Sequence, residues 1–294
     1  MPELPEVETV RADLSASVCG YGVVRVRLLC EGMLLGGWPE GLAQAAEGAT
    51  ITGFDRVGKA LIMRFSSGYS LIFHFRMTGQ LYPVRRGAEL PTHTRTVFEL
   101  SDGRWLLHVD VRRLGTLELV ATCEESSAAT LANVGRDALN DPPRASELGT
   151  LLARRKCAVK VLLLDQRCVA GIGNIYACEI LARARICPET LCCELRADDV
   201  RRLSRAMRYV LREAVRCRGT TISDYRTGTG AAGGFQHDLR VYGREGDRCL
   251  RRGCPGIIAR VVQGQRSTYY CPQCQQAAPA PGRTQERQAR NHDQ

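Results

Sequence analysis

The sequence predicts an α+β protein: one helix and a set of short antiparallel strands, then a helical domain, then a small cysteine-held hairpin. Three patterns predict it. Helical spacing of apolar residues opens the chain, short β-type runs punctuated by turns follow it, and helical spacing returns beyond residue 148.

Residues 2–18 read as the first helix. Pro5 suits a first turn, acidic residues follow it, and Val7, Val10, Leu14 and Val18 form an apolar stripe. The β-type runs fall at 23–29, 60–65, 70–75, 96–100, 104–109 and 116–120. Turn signals such as Ser66-Ser67-Gly68 and Ser101-Asp102-Gly103 separate them. Close-spaced strands of this kind predict an antiparallel sandwich or barrel, and Pro142-Pro143 marks its boundary. Helices are then expected at 148–157, 159–164, 175–183 and 197–218. The last is the clearest, with Val200, Leu203, Met207, Val210, Leu211 and Ala214 on one face and arginines on the others. Residues 228–234, with four glycines, read as a flexible loop, and residues 249–274 as a small hairpin unit. The Pro-, Gln- and Arg-rich tail from Ala278 lacks apolar periodicity and is expected to be disordered.

Composition narrows the function. A hydrophobic content of 44% provides for a real core, and no window approaches the 18 or so apolar residues of a membrane span. Glu3, Glu6 and Glu8 replace the basic-then-apolar start of a secretory signal, so a cytoplasmic protein is expected. Net charge is +10, unevenly spread: residues 1–135 hold 13 basic and 15 acidic groups, residues 136–277 hold 25 and 14. A basic C-terminal half suits a polyanion. Arginine outnumbers lysine 38 to 3, which draws attention to Lys59, Lys156 and Lys160, since lysine does acid–base chemistry that arginine cannot.

Of 14 cysteines, four stand apart as Cys249-x4-Cys254-x16-Cys271-x2-Cys274. Two close pairs at this separation bring four thiolates to the corners of a tetrahedron, which suits one structural zinc ion. β-type residues at 257–262 and 267–270 lie between the pairs, so the unit is a hairpin too small to hold itself together without metal. Gly171-Ile172-Gly173-Asn174-Ile175-Tyr176 opens a candidate helix, where glycines admit a partner's backbone and free N–H groups bind phosphate. Arg154, Arg155, Lys156 and Lys160 lie just upstream and add to a backbone-gripping module. At the N-terminus, removal of Met1 leaves Pro2 as a terminal secondary amine, a nucleophile that forms a cationic iminium with an aldehyde. Glu3 beside it is placed to donate a proton to a sugar leaving group or ring oxygen. An ordinary helix start would look much the same in isolation.

Together these features resemble the formamidopyrimidine-DNA glycosylase family of bacterial oxidised-purine repair enzymes, up to about Gln275. MPELPEVETV matches its N-terminal signature, and GIGNIYA the centre of its helix–two-turn–helix module, here at 158–184. Val241–Arg244 (VYGR) precedes the zinc finger, and QRSTYYCPQC at 265–274 closes it. The resemblance implies an N-terminal helix plus an antiparallel β-sandwich, then a helix–two-turn–helix domain with a C-terminal zinc-finger hairpin. The implied domains are 1–135, 136–244 and 245–277, with a tail at 278–294. It implies a bifunctional glycosylase and abasic-site lyase, acting as a monomer on damaged duplex DNA. Pro2 is then the Schiff-base nucleophile, Glu3 the general acid, Glu6 a support for the sugar chemistry and Lys59 the proton donor in β-elimination. Arg266 grips phosphate and helps δ-elimination. His93, Arg112 and Arg155 fall where the family contacts DNA, and His74, Asn174 and Tyr242 match further phosphate contacts. Met77, Arg112 and Leu114 fill the gap left by the extruded nucleotide.

Two departures stand out. Asp110-Val111-Arg112-Arg113-Leu114 replaces the usual Asp-Pro-Arg-Arg-Phe, so an aliphatic wedge stands for a stacking aromatic, and the first zinc pair is spaced x4 where x2 is commoner. Two rival readings share the sequence: an endonuclease VIII-like preference for oxidised pyrimidines, against which Leu4 and the 228–234 loop speak, and a catalytically silent DNA-binding protein, against which intact Pro2, Glu3 and Lys59 speak.

Overall fold

The computed structural model describes residues 2–35, 39–222 and 225–276. The expected tail, 278–294, lies outside the described residues. The chain forms two compact units that do not follow chain order.

The first unit comprises residues 1–143, 163–176 and 207–239. It begins with α1 (Leu4–Ser17), whose Val7, Val10 and Leu14 are fully or almost fully buried. After it come β1 (Val23–Leu28), β2 (Leu34–Leu35), α2 (Pro39–Ala46), β3 (Ile51–Val57), β4 (Ala60–Phe65), β5 (Tyr69–His74), β6 (Gly79–Arg85), β7 (Thr94–Leu100), β8 (Arg104–Asp110) and β9 (Thr116–Ala121). One sheet has the order β1-β7-β8-β6 and the other β2-β9-β5-β4-β3. Every pair is antiparallel except β2 with β9. A single apolar core joins Phe73 and Leu117 of the second sheet to Phe98 and Leu106 of the first and to α1. The Phe73 and Phe98 rings meet edge-on with centroids 6.5 Å apart, a favourable arrangement of their quadrupoles. The expected sandwich is therefore present. Short β10 (Arg136–Asp137) pairs in parallel with β11 (Val169–Ala170).

The described residues of the second unit are 144–162, 177–206 and 240–276. It holds α3 (Ala145–Ala153) and most of α4 (Val159–Leu164) and α5 (Asn174–Ala184), with the first half of α6 (Ala197–Arg216). Its hairpin consists of β12 (Ala259–Gln263) and β13 (Arg266–Tyr270), antiparallel with Gln263 opposite Arg266. Gly264 and Gln265 link them, both at positive φ (+52° and +61°). That is the two-residue turn whose twist matches the strands it joins. The hairpin's Ile258 and Cys271 share a small core with Cys178, Ala182 and Val241. Among the described residues no helix is long and apolar enough to cross a membrane.

The 228–234 loop is more ordered than its glycines suggest. Thr227 and Ala231 are linked by a 2.9 Å backbone hydrogen bond, and the Gly233 N–H donates to Thr221 Oγ1 at 2.9 Å.

Candidate active site

Pro2 and Glu3 are buried at the entry to α1 in the first unit. The Glu3 carboxylate accepts backbone N–H groups from Gly173 (2.8 Å), Ile175 (3.0 Å) and Tyr176 (3.4 Å). These are the open donors at the start of α5, where a helix's partial positive charge favours a carboxylate. Glycine at 173 admits the Glu3 carboxylate, and glycine at 171 admits the neighbouring Leu4 side chain. A Cβ on Gly173 would stand 2.3 Å from the Glu3 carboxyl carbon, and one on Gly171 2.3 Å from Leu4 Cδ1. The sequence suggested that these N–H groups await phosphate; the structure gives three of them to Glu3. Asn174, the first residue of α5, sits in the same turn.

Glu6 lies directly behind. Its carboxyl accepts the Glu3 N–H at 2.8 Å, the Thr220 N–H at 2.7 Å and the Tyr176 hydroxyl at 2.5 Å. Burial, with a contribution from Glu3, raises its pKa to about 7. The N-terminal segment is thus tied through one carboxyl to a tyrosine 170 residues away in the chain. A raised carboxyl pKa favours folding most below the unfolded value, and that advantage is lost as pH climbs from about 4.5 through 7. Glu6→Gln, which does not titrate, should therefore lie furthest below the parent in stability near pH 4. The gap should shrink by about 3 kcal/mol by pH 8, measured by denaturant unfolding. A gap that widens with pH would contradict the assignment.

Lys59 sits on the turn between β3 and β4, beside a cleft of about 350 Å3 that it lines with His74, Arg76, Thr116, Asn133 and Gln166. The turn is braced from below. Buried Arg56 donates to Glu8 (2.9 Å), to both oxygens of Asp137 (2.5 and 3.0 Å) and to the Gly58 carbonyl (2.9 Å). Asp137 in turn accepts the Gly58 N–H at 2.9 Å. Gly58 needs its positive φ (+58°) to make this turn. His74 accepts the Arg76 N–H on Nδ1 at 3.2 Å, and burial together with Arg76 and Lys59 lowers its pKa to about 4. Neutral imidazole with Nδ1 accepting carries its proton on Nε2, a donor suited to a phosphate oxygen.

Two neighbouring loops present the residues matched to gap filling. Met77 (37%) and Leu114 (47%) are exposed, as is Arg112. Fully buried Asp110 holds both loops: it accepts the Thr78 hydroxyl, the Arg112 N–H at 3.3 Å and the Gly115 N–H at 2.8 Å. The Asp110 N–H donates to the His93 carbonyl at 3.0 Å, and Arg95 reaches both the Asp110 carbonyl (2.8 Å) and His93 Nδ1 (3.4 Å). Asp110, Thr78, Arg56 and Asp137 escaped sequence reasoning, because nothing local marks a carboxylate that staples two loops.

In the second unit, Arg266 is exposed at the hairpin turn and Arg155 is exposed after α3. Tyr242 lies in a turn whose three N–H groups, from Arg240, Val241 and Tyr242, all donate to buried Glu179 at 2.9 Å. Its ring meets that of Tyr269 edge-on at 5.1 Å. Lys160, expected among the DNA contacts, is fully buried, and its ammonium donates to Thr268 Oγ1 at 2.6 Å. In this arrangement it braces the hairpin from beneath.

Cys249, Cys254, Cys271 and Cys274 bring their sulfurs within 4.8 Å of one another. The separations of 3.8 Å (249 to 274), 3.7 Å (254 to 271) and 3.2 Å (254 to 274) approach the edge of about 3.8 Å set by four Zn–S bonds of about 2.3 Å. The x4 knuckle therefore closes the tetrahedron despite its extra residues.

Three family models match the chain: the formamidopyrimidine-DNA glycosylase N-terminal domain over residues 1–117, that family's H2TH domain over 134–226, and a zinc finger found in FPG and IleRS over 246–277. The formamidopyrimidine-DNA glycosylase of Desulfitobacterium hafniense is 39% identical over 94% of this chain and 100% of its own length. That of Moorella thermoacetica is 42% identical over 87% of this chain and 93% of its own. Among solved structures, a Lactococcus lactis Fpg variant bound to Fapy-dG-containing DNA superposes with a TM-score of 0.87 at 32% identity, covering 94% and 100% of the two chains. The wild-type Lactococcus protein with oxidised-pyrimidine-containing DNA gives 0.86 at the same identity and coverage.

Proposed function

Since the chain belongs to the formamidopyrimidine-DNA glycosylase family, we propose that it removes oxidised purines from duplex DNA and then cuts the abasic strand by β- and δ-elimination. The observation that carries this reading is the anchoring of the Pro2–Glu3 segment: three N–H donors of α5 fix Glu3, and Glu6 fixes the peptide that joins it to Pro2. An amine nucleophile held this firmly acts as an intramolecular partner for a sugar delivered to it.

The target base lies inside the duplex, so the nucleotide has to be extruded. Met77, Arg112 and Leu114 occupy the gap, on loops that Asp110 holds in register. His93, Arg155, Asn174, Tyr242 and neutral His74 take backbone oxygens, and the basic segment 136–277 adds attraction without sequence choice. The Pro2 nitrogen bonds to C1′ as the C1′–base bond breaks. The nitrogen then loses its proton, the C1′–O4′ bond opens to the ring-opened iminium and O4′ takes up a proton, with Glu3 managing the proton at the leaving group or ring oxygen. The iminium acidifies the C2′ proton, and elimination expels the 3′ phosphate. Lys59 handles protons during the eliminations and Arg266 the phosphate charge. One zinc ion fits the four-cysteine cluster and serves as the scaffold for Arg266, not as a reactant. The enzyme acts as a monomer in the compartment that holds the DNA, the cytoplasm for a bacterial protein.

Incision of duplexes carrying single lesions tests this reading. Strand cleavage at 8-oxoguanine and formamidopyrimidine opposite cytosine should exceed cleavage at oxidised pyrimidines at least tenfold. The opposite ranking would favour the pyrimidine reading, and no cleavage at all the silent DNA-binding one.

Leu114 offers a second expected result. An aliphatic wedge fills space without stacking, so Leu114→Gly should slow base removal from duplex DNA roughly tenfold or more while sparing cleavage of a preformed abasic site. Leu114→Phe should keep or improve discrimination. Equal losses on both substrates would assign residue 114 a folding role.

A further inference from the structure

Among the described residues of the second unit, one further pair of cysteines outside the zinc cluster brings its sulfurs together. Cys157 follows Arg155 and Lys156 directly, and Cys192 lies in the segment between α5 and α6. The two segments pair: Ala158 and Leu191 form an antiparallel bridge, the Val159 N–H donates to the Thr190 carbonyl at 2.8 Å, and the Cys192 N–H donates to the Cys157 carbonyl at 2.9 Å. Cys157 and Cys192 are therefore directly opposite one another at a hydrogen-bonded position. Such positions hold their Cα atoms about 5.5 Å apart, inside the range of about 4.4–6.8 Å that a disulfide spans. Their sulfurs are already 4.0 Å apart.

We propose that Cys157 and Cys192 form a reversible thiol-oxidation site, in which hydrogen peroxide closes the pair to a disulfide and loosens the neighbouring grip on DNA phosphate. Cys157, partly exposed, is the sulfur that peroxide reaches; Cys192 is buried, and burial with the neighbouring Cys157 pushes its thiol up to about 12. The chemistry balances without further reagents. The Cys157 sulfur attacks one peroxide oxygen, the O–O bond breaks, and a sulfenic acid and one water result. The Cys192 sulfur then displaces that hydroxyl, an S–S bond forms as the S–O bond breaks, and the thiol proton leaves with it as a second water. Two thiols lose two electrons in all, and one peroxide is reduced to two waters.

Closure shortens the sulfur separation from 4.0 Å to about 2.05 Å. The backbones already stand at disulfide distance, so the link locks the Arg155–Lys156 segment in its present setting, where the Arg155 carbonyl accepts the Cys193 N–H at 3.2 Å, and removes the adjustment with which Arg155 follows a phosphate. The consequence for DNA rests on the function proposed above, in which Arg155 grips phosphate; the thiol chemistry does not.

The test uses the zinc-loaded full-length chain. After peroxide treatment and alkylation of remaining thiols, peptide mapping should find residues 157 and 192 joined. Affinity for an undamaged duplex should fall at least threefold with zinc retained, and dithiothreitol should restore it. Both changes should be absent in Cys157→Ser, or in Cys192→Ala if the first variant folds poorly. Absence of the linked peptide at a dose that oxidises exposed Cys193 overturns the proposal. So does an equal loss of affinity in the variants, or a linked peptide with unchanged affinity. A reduced chain that fails to bind duplex DNA would instead contradict the proposed function, while the peptide map would still decide the thiol pair.

Discussion

Adding residues ahead of Pro2, so that its nitrogen becomes an amide, should reduce strand cleavage at an abasic site roughly a thousandfold or more. An amide nitrogen has no lone pair for an aldehyde, and the structure leaves Pro2 little freedom to offer another atom. It is buried, and the residue after it is tied at its N–H by Glu6 and at its carboxylate by α5. The effect is one of chemistry, so binding of an abasic duplex should survive far better than its cleavage, which equilibrium binding beside single-turnover kinetics separates. Pro2→Gly retains a terminal amine and should keep weak lyase activity. Full activity in the extended chain would move the nucleophile elsewhere, to Lys59.

Cys271→Ala should abolish duplex binding, with a loss on the order of a hundredfold or more. Structural zinc contributes about 10–16 kcal/mol in small fingers, and the unit here has only a thin core of its own: Ile258 and Cys271 against Cys178, Ala182 and Val241. Without metal the two strands lose their closure, and Arg266 at the turn and Thr268 on Lys160 lose their positions together. The sandwich, with its separate core around Phe73 and Phe98, should still unfold cooperatively. Metal analysis and circular dichroism distinguish this from general misfolding. Tight DNA binding by a zinc-free protein would contradict it.

Much of this was legible in the sequence, for reasons that differ by element. The four zinc cysteines are fixed by short spacings that chain geometry converts into a tetrahedron. The pattern of α6 is long enough to be read without context. β3 and β6 were not foreseen: charged Asp55 and Arg56 interrupt the first, and Pro83 the second. Pro83 is tolerated because β6 is the edge of its sheet. The site was legible as residue types and opaque as contacts. Glu3 meets α5 across 170 residues, Arg56 meets Asp137 across 81, and no local pattern records either partner. Gly171-x-Gly173 points to a phosphate in the sequence and meets Leu4 and Glu3 in the fold for the same reason. A glycine marks a close approach, and the sequence does not say what approaches.

Borohydride trapping on a single abasic duplex tests the central claim most directly. If Pro2 forms the iminium, reduction should join the protein to DNA covalently, and peptide mapping should place the bond at residue 2. Glu3→Gln should still be trapped on the preformed abasic site while failing to remove an oxidised purine. An adduct at Lys59, or efficient strand cleavage with no adduct at any residue, would contradict the account.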